Sequence, residues 1–422
     1  MLVLNTQEKA LLVGVILPEL NTYDVSQHLD ELEMLANTAG ASVVGRHTQK
    51  LLKINPAFFI GRGKAIQLIE NAKELGVNLI VFDDELSPAQ IKNYYQLAKN
   101  IKIIDRSGII LDIFKKHART KEAKTQVELA YLQYLLPRLT RQWTHLERQM
   151  GGIGTRAGMG ETQIEIDRRI IRTKITKLNK DLNKINKERY TQGIKRGNKF
   201  RVALVGYTNA GKSTLFKALT KSDVYIKDRL FATLDTTIRK VNLDDSHPIL
   251  LSDTVGFIRK LPHNLVASFN STLKEVLEAD LILKVFDINS PQMENHVEII
   301  DEVLEELGAS KIENIIILNK VDLIKDVKIL KEKSMIFPNS VSISALSHLQ
   351  LRELKQEILK KIKKDYKTIE LIFSYEQGKM INYAEEGVDV ISRDYDSDGV
   401  KLKIRANPDK IKNILRLNPK IV

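Results

Sequence analysis

Short apolar runs alternate with amphipathic stretches over the first 115 residues. The runs at 11–17, 42–44, 79–83 and 101–105 predict strands, and helical spacing at 24–37, 64–75 and 88–99 predicts helices between them. Strand and helix in alternation imply βαβ units and a mainly parallel sheet. The string Phe59-Ile60-Gly61-Arg62-Gly63-Lys64 falls between a strand and a helix, and reads either as a plain glycine turn or as an anion-facing helix start.

From about 116 to 198 the pattern changes. Residues 123–150 are helical in composition, with Val127, Ala130, Leu132, Leu135, Leu136 and Leu139 apolar and Pro137 placed to kink the run. A second helix is expected over 161–190, where Ile164, Ile171, Ile175, Leu178, Leu182 and Ile185 form one stripe. Two such helices make an antiparallel hairpin, each covering the other's stripe. The joining loop, 151–160, holds five glycines and no apolar run. It is either a mobile tip or a tip whose backbone must pass close to another surface. After it come Arg168, Arg169, Arg172, Lys174, Lys177, Lys180, Lys184, Lys187 and Arg189, opposed within that span by Asp181 and Glu188. Such a run is a solvated face or a phosphate-contacting one, and the imbalance of sign favours phosphate.

An apolar strand, Val202-Ala203-Leu204-Val205, then feeds Gly206-Tyr207-Thr208-Asn209-Ala210-Gly211-Lys212-Ser213, and a helix follows from Thr214. This is G-x-x-x-x-G-K-S in the strand–loop–helix setting that the chemistry requires. Glycines let backbone N–H groups wrap a phosphate chain at a helix N-terminus, whose dipole also favours anions. Lys212 is expected to reach the β- and γ-phosphates and Ser213 to ligate Mg²⁺. Downstream, Asp253-Thr254-Val255-Gly256 ends a strand, placing a carboxylate at the Mg²⁺ shell and a glycine N–H where it can sense the γ-phosphate. Asn319-Lys320-Val321-Asp322 ends another strand. Asp322 can accept from guanine N1–H and the exocyclic amino group, a donor pair that adenine lacks, so ATP should be rejected. Ser344-Ala345 closes the series with a backbone donor for the guanine 6-oxo group. Four elements in this order predict a G domain binding GTP and GDP. Thr233 is the expected second hydroxyl ligand of Mg²⁺ from a mobile loop, with Thr236 and Thr237 as alternatives. Phe257 stands where Ras-like enzymes carry a water-orienting glutamine, so hydrolysis by the isolated protein should be slow. Asn209 fits the G-x-x-N-x-G-K-S pattern of GTPases that use a bound K⁺.

The last segment predicts a strand at 369–373, a helix at 376–384, strands at 389–393 and 400–404 around an Asp398-Gly399 turn, and a helix from Pro408. The fold class is therefore α/β: an N-terminal βαβ domain (1–115), a long antiparallel helical hairpin (116–198), a P-loop G domain (199–365) and a small α+β C-terminal domain (366–422). At roughly 150 residues per domain, 422 residues suggest about three domains, and the pattern resolves four segments. Lys and Arg number 66 against 53 Asp and Glu, a net charge of +13, and a conspicuous share of it sits on the hairpin. The absence of cysteine excludes a disulfide scaffold, a thiolate zinc site and cysteine nucleophily. The apolar run at 10–17 is too short to span a bilayer and lacks a small-residue cleavage pattern, so a cytoplasmic protein is expected; a monomer is expected as well.

Beyond the G motifs, the chain resembles the HflX family of translational GTPases. The resemblance rests on Ala123-Lys124-Thr125-Gln126-Val127-Glu128-Leu129-Ala130, Leu136-Pro137-Arg138-Leu139, Gly151-Gly152-Ile153-Gly154 and Gly160-Glu161-Thr162-Gln163. It extends through Phe231-Ala232-Thr233-Leu234-Asp235, Asp253-Thr254-Val255-Gly256-Phe257-Ile258 and Leu261-Pro262-His263. The glycine tip departs from the family's R-G-P-G-E, reading Arg156-Ala157-Gly158-Met159-Gly160-Glu161. The resemblance implies a GTPase that engages the large ribosomal subunit, with its N-terminal part and glycine loop on ribosomal RNA. It further implies dissociation or rescue of stalled ribosomes and a part in stress response. Two other readings stand beside it. One is an RNA-binding factor gated by GTP with hydrolysis incidental, and the other a GTPase coupled to RNA modification, for which the sequence offers no cofactor motif or nucleophile. His145, His247 and His263 share no metal-ligand spacing.

Overall fold

The computed structural model describes residues 8–98, 100–139, 163–194, 199–221, 230–231, 236–244, 246–260, 275–324, 326–397, 399–417 and 419–421. The glycine tip, the second half of the first hairpin helix, Thr233, His145, His263 and Asp398 lie outside these residues. The chain divides into two compact units. One holds the described residues of Met1–Lys195, Lys227–Asp235 and Ile258–Thr272, the other those of Arg196–Ile226, Thr236–Phe257 and Leu273–Val422.

The first unit is built on β1 (Lys9–Ile16), β2 (Ser42–Lys50), β3 (Leu79–Phe82) and β4 (Lys102–Asp105). They form a fully parallel sheet in the order β2-β1-β3-β4. Helices α1 (Thr22–Ala39), α2 (Arg62–Glu74), α3 (Pro88–Leu97) and α4 (Arg106–His117) connect and cover it. β3 is buried at every residue and β1 at all but its first, as expected of central parallel strands covered on both faces. Leu11, Val13 and Val15 join the cluster of Leu68, Ile80, Phe82 and Tyr94, while Gly14 faces Val25 and Leu29 of α1. The expected strands and helices are present.

Two features were not anticipated. β2 continues to Lys50, and α4 follows β4 directly, its first nine residues buried and its start capped by Asp105. The expected kink at Pro137 is a helix end: α5 (Lys121–Leu135) stops and a single 3₁₀ turn, Leu136–Arg138, follows. Leu129, Leu132 and Leu139 share a core with Ile171, Leu178 and Leu182 of the long helix Gln163–Ile194, as the two apolar stripes predict.

The second unit carries a six-stranded sheet in the order β10-β9-β8-β5-β7-β6. Its strands are β5 (Arg201–Gly206), β6 (Thr237–Asn242), β7 (Pro248–Asp253), β8 (Leu281–Asp287), β9 (Asn314–Asn319) and β10 (Val341–Ser342). Only β6 runs antiparallel to its neighbour. Three of the four nucleotide motifs therefore leave the carboxyl ends of β5, β7 and β9, and the fourth follows β10, the edge where open α/β sheets hold ligands. A four-stranded antiparallel sheet, β12-β13-β11-β14, forms the last part: β11 (Lys367–Phe373), β12 (Asp389–Asp396), β13 (Gly399–Ala406) and β14 (Lys420–Ile421). Leu371, Phe373, Leu402 and Ile404 meet Ile381 and Ile414 from its two helices.

Candidate functional site

The turn after β5 is shaped by two glycines that no other residue could replace without movement. A Cβ at Gly206 would fall 2.3 Å from the Val285 carbonyl oxygen on β8. Gly211 sits at φ +93°, and a Cβ there would meet the Asn319 side-chain nitrogen at 2.2 Å. Asn209, at φ +60°, is exposed at the crest of the loop. The helix Lys212–Thr220 then starts without a side-chain cap, so its first N–H groups stay available to an anion.

Lys212 is buried, and its Nζ donates to the Gly206 and Tyr207 carbonyls at 3.0 and 2.8 Å. Burial pulls its ammonium down to about 8 while Asp253 opposes the shift. The Ser213 hydroxyl donates to Asp253 Oδ2 at 2.8 Å, which brings the two expected members of a Mg²⁺ shell together. Thr208 N donates to Phe257 O at 2.8 Å and Phe257 N to Gly206 O at 3.0 Å. The backbone beyond Gly256 is thereby paired with the phosphate loop. A Cβ at Gly256 would lie 3.1 Å from Lys212 Nζ and 3.0 Å from Thr208. Phe257 is buried and offers no polar side chain to a water molecule.

The base-reading end is tied to the phosphate loop through Asn319. Its Nδ2 donates to the Ala210 carbonyl at 2.9 Å, and its Oδ1 accepts from Ala345 N at 3.0 Å. Lys320 takes φ +67° and pairs with Asp287 at 2.8 Å. Asp322 is exposed on the 3₁₀ turn that follows. Ser344 is buried, its hydroxyl accepting from Ser347 N at 3.0 Å. Every expected site residue except Thr233 is described, and the carboxyl edge of one sheet brings them together. Of the alternatives to Thr233, Thr236 is half-buried and Thr237 opens β6.

His296 was missed by sequence reading. Its ring stacks on Tyr207 at 3.8 Å between centroids and 12° between planes. No spacing pattern links residues 89 positions apart, so only the fold reveals the pair. The Gly61–Lys64 turn belongs to the first unit, with Gly61 at φ +88° before α2. Beside it lies an open hollow of about 500 Å³ lined by Leu51, Lys53, Ile54, Asn55, Pro56, Ile60 and Gly61. Among the described residues no group of acids and histidines is arranged to hold a metal ion, and no helix is long and apolar enough to cross a membrane.

Three family models match the chain in succession: "GTP-binding GTPase N-terminal" over 26–115, "GTP-binding GTPase Middle Region" over 117–196 and "50S ribosome-binding GTPase" over 201–320. The chain is similar to the GTPase HflX of Flavobacterium psychrophilum, 48% identical over 84% of either chain. Its similarity to the GTPase HflX of Caldanaerobacter subterraneus is 44%, over 94% of this chain and 90% of that relative. The Escherichia coli GTPase HflX is 43% identical over 80% of this chain and 79% of its own length. A solved structure of the protein SsGBP with GDP aligns over 84% of this chain and 98% of its own, at 27% identity and a TM-score of 0.47.

Proposed function

The chain belongs to the HflX family of GTPases, and from that premise we propose that it is a Mg²⁺-dependent switch that binds the large ribosomal subunit when GTP is bound and dissociates or rescues stalled ribosomes. The observation that carries this reading is the match of residues 201–320 to a 50S ribosome-binding GTPase, together with the gathering of the described candidate residues at the carboxyl edge of one sheet.

Gly206, Tyr207, Thr208, Asn209, Ala210, Gly211, Lys212, Ser213 and Thr214 would cradle the phosphates through backbone N–H groups and one ammonium. A buried Lys212 that has lost its hydration gains most from a phosphate oxygen, because charge attracts charge more strongly away from water. Asp322, with Lys320 alongside, would read the guanine edge, and the Ser344-Ala345 backbone its 6-oxo group. The hydroxyl of Ser213 and the carboxylate of Asp253, 2.8 Å apart, are the hard oxygen donors that suit Mg²⁺. Ser213, with Thr233 from the loop, would hold the ion, which neutralises developing phosphate charge when bound.

Gly256 N–H would sense the γ-phosphate. Phe257, buried and paired by its backbone, cannot orient water, which supports slow hydrolysis until a partner rearranges this stretch. Asn209 would hold a K⁺ ion in place of an arginine finger, and equal rates in K⁺ and Na⁺ buffers would overturn that assignment.

The ribosomal RNA contact would fall to the helix Gln163–Ile194, where Arg168, Arg172, Lys177, Lys180 and Lys184 are exposed, together with the glycine tip. The test is GTP hydrolysis with purified subunits added. Strong stimulation by large subunits and none by small ones is expected. Tight GTP-dependent binding without stimulation would favour an RNA-binding factor in which hydrolysis is incidental.

A further inference from the structure

Strands β8 and β9 run parallel and stay in register to their last residues, where Asp287 stands opposite Asn319. One more ladder bond follows, from Ile288 N to Asn319 O at 3.1 Å. The ladder cannot continue, because Lys320 leaves the extended conformation for a left-handed φ of +67°. A lysine does not favour that conformation by itself, since its Cβ crowds the following carbonyl oxygen, so neighbouring contacts have to hold it.

The two residues flanking Ile288 supply those contacts. Asn289 Nδ2 donates to the Lys320 carbonyl at 2.9 Å, standing in for the backbone N–H that a further rung would have offered. Asp287 Oδ2 lies 2.8 Å from Lys320 Nζ. Asp287 Oδ1 accepts from Asn289 N at 3.0 Å, which fixes the bend from which the Asn289 amide reaches across. Residues 287, 288 and 289 thus bracket the Asn319-Lys320 pair with a carboxylate, a backbone N–H and an amide in turn. Neither Asp287 nor Asn289 lies in any of the four nucleotide motifs.

The Lys320 carbonyl is also where the next turn closes. Leu323 N donates to it at 3.1 Å, and Val321 N donates to Ile343 O at 3.2 Å, one residue before Ser344. Asp322 stands in the middle of that 3₁₀ turn, Val321–Leu323. The oxygen that Asn289 holds is therefore the oxygen on which the turn bearing Asp322 is built. Every residue of this arrangement belongs to the second unit.

We propose that Asn289, oriented by Asp287, is a specificity-determining positioning residue: it sets where the Asp322 carboxylate stands, and so how sharply the site tells guanine from hypoxanthine. The proposal rests on the reading of Asp322 as the acceptor of guanine N1–H and the exocyclic 2-amino group. Hypoxanthine keeps the N1–H and lacks the amino group, so the second bond alone separates the two bases. Hydrogen bonds weaken steeply as donor and acceptor fall out of line. A carboxylate held in place accepts both donors of guanine, whereas one that shifts with a loosened turn loses the bond on which discrimination depends. Asn289 acts on the base through the Lys320 carbonyl and not by a contact of its own.

The test compares the affinities of the full chain for GDP and for inosine diphosphate, its hypoxanthine counterpart. Asn289 is exposed, so its replacement perturbs the fold little, and thermal melts check this. Asn289→Ala removes the donor, and the preference for GDP should fall about fivefold, part of what one hydrogen bond to a charged group contributes. Asn289→Asp keeps the size but turns an acceptor toward the Lys320 carbonyl, so its preference should fall at least as far. Where the Asp variant does not fold, the Ala variant decides. Asn289→Gln keeps an amide donor and should retain more of the preference than Asn289→Ala. A purely structural role would weaken both nucleotides equally, so an unmoved ratio in Asn289→Ala overturns the proposal. A parent chain that binds the two nucleotides alike contradicts the reading of Asp322 itself. A parent preference for GDP that survives in the Ala variant contradicts the role of Asn289 alone.

Discussion

Asn319→Ala tests how the two ends of the nucleotide site are held in register. The Asn319 amide is 2% exposed and spans two loops, donating to the Ala210 carbonyl and accepting from Ala345 N–H. Ala210 and Ala345 are themselves 2% and 3% exposed, so water cannot replace the lost partner without displacing a loop. A buried backbone group left unpaired costs roughly 1–3 kcal/mol. Two such groups give about 2–6 kcal/mol, divided between fold stability and nucleotide binding. A share of about 1.4–2.8 kcal/mol falling on binding corresponds to about a 10- to 100-fold weaker Kd for GDP. The Asn319 side chain also fills the space beside Gly211, so its removal loosens the turn that faces the phosphates. Calorimetric titration with GDP, paired with thermal melts in its presence and absence, separates the two shares. A variant that binds GDP within twofold of the parent chain would refute the strut and leave Asn319 as a residue of local packing.

Other perturbations follow from single features. Gly206→Ala puts a methyl 2.3 Å from the Val285 carbonyl and must prise β5 from β8. Overpacking of this kind costs about 1–3 kcal/mol, so Tm should fall by several degrees, and an unchanged melt would contradict the contact. Asp112 of α4 is 3% exposed, its Oδ2 has no hydrogen-bond partner among the described residues, and burial lifts its carboxyl to about 7 against the opposing charges of Lys102, Lys115 and Lys116. Below the ordinary carboxylate range both folded and unfolded chains hold the proton. As pH rises toward 7 the unfolded chain releases it first, so stability drains away, by up to about 4 kcal/mol, and levels off above 7. Asp112→Asn should therefore gain on the parent chain in urea melts at pH 8 but not at pH 4, and a difference constant with pH would sink the assignment. Reversing Arg168, Arg172 and Lys180, all exposed on the long helix, should weaken ribosome binding and flatten its salt dependence. An unaltered salt slope would move the RNA contact elsewhere.

The nucleotide edge was legible in the sequence because each motif dictates backbone geometry locally. Gly206 and Gly211 announce a turn that only glycine fits, and Asp253 and Asn319 are each the last residue of an apolar strand, which fixes where they stand. The alternating units of the first sheet were legible for the same reason, since periodicity reports burial. Periodicity failed where burial is uniform or absent. Helix α4 escaped notice because its first nine residues are all buried, which erases the polar face that marks a helix. The far half of β2 escaped because every second residue of this edge strand is exposed and its later residues are polar. Long-range partners left no trace at all. The contacts of Lys260 with Asp83 and Asp84 join residues more than 170 positions apart, and His296 on Tyr207 or Asn319 between two loops exists only once the sheet has assembled.

The most direct measurement is sedimentation of purified ribosomes with the full chain in the presence of a non-hydrolysable GTP analogue or of GDP. With the analogue, the protein should travel with the large subunit and intact ribosomes should separate into subunits, while with GDP both effects should vanish. Equal association in the two nucleotide states, or intact ribosomes that carry the protein without separating, would contradict a GTP switch that splits ribosomes.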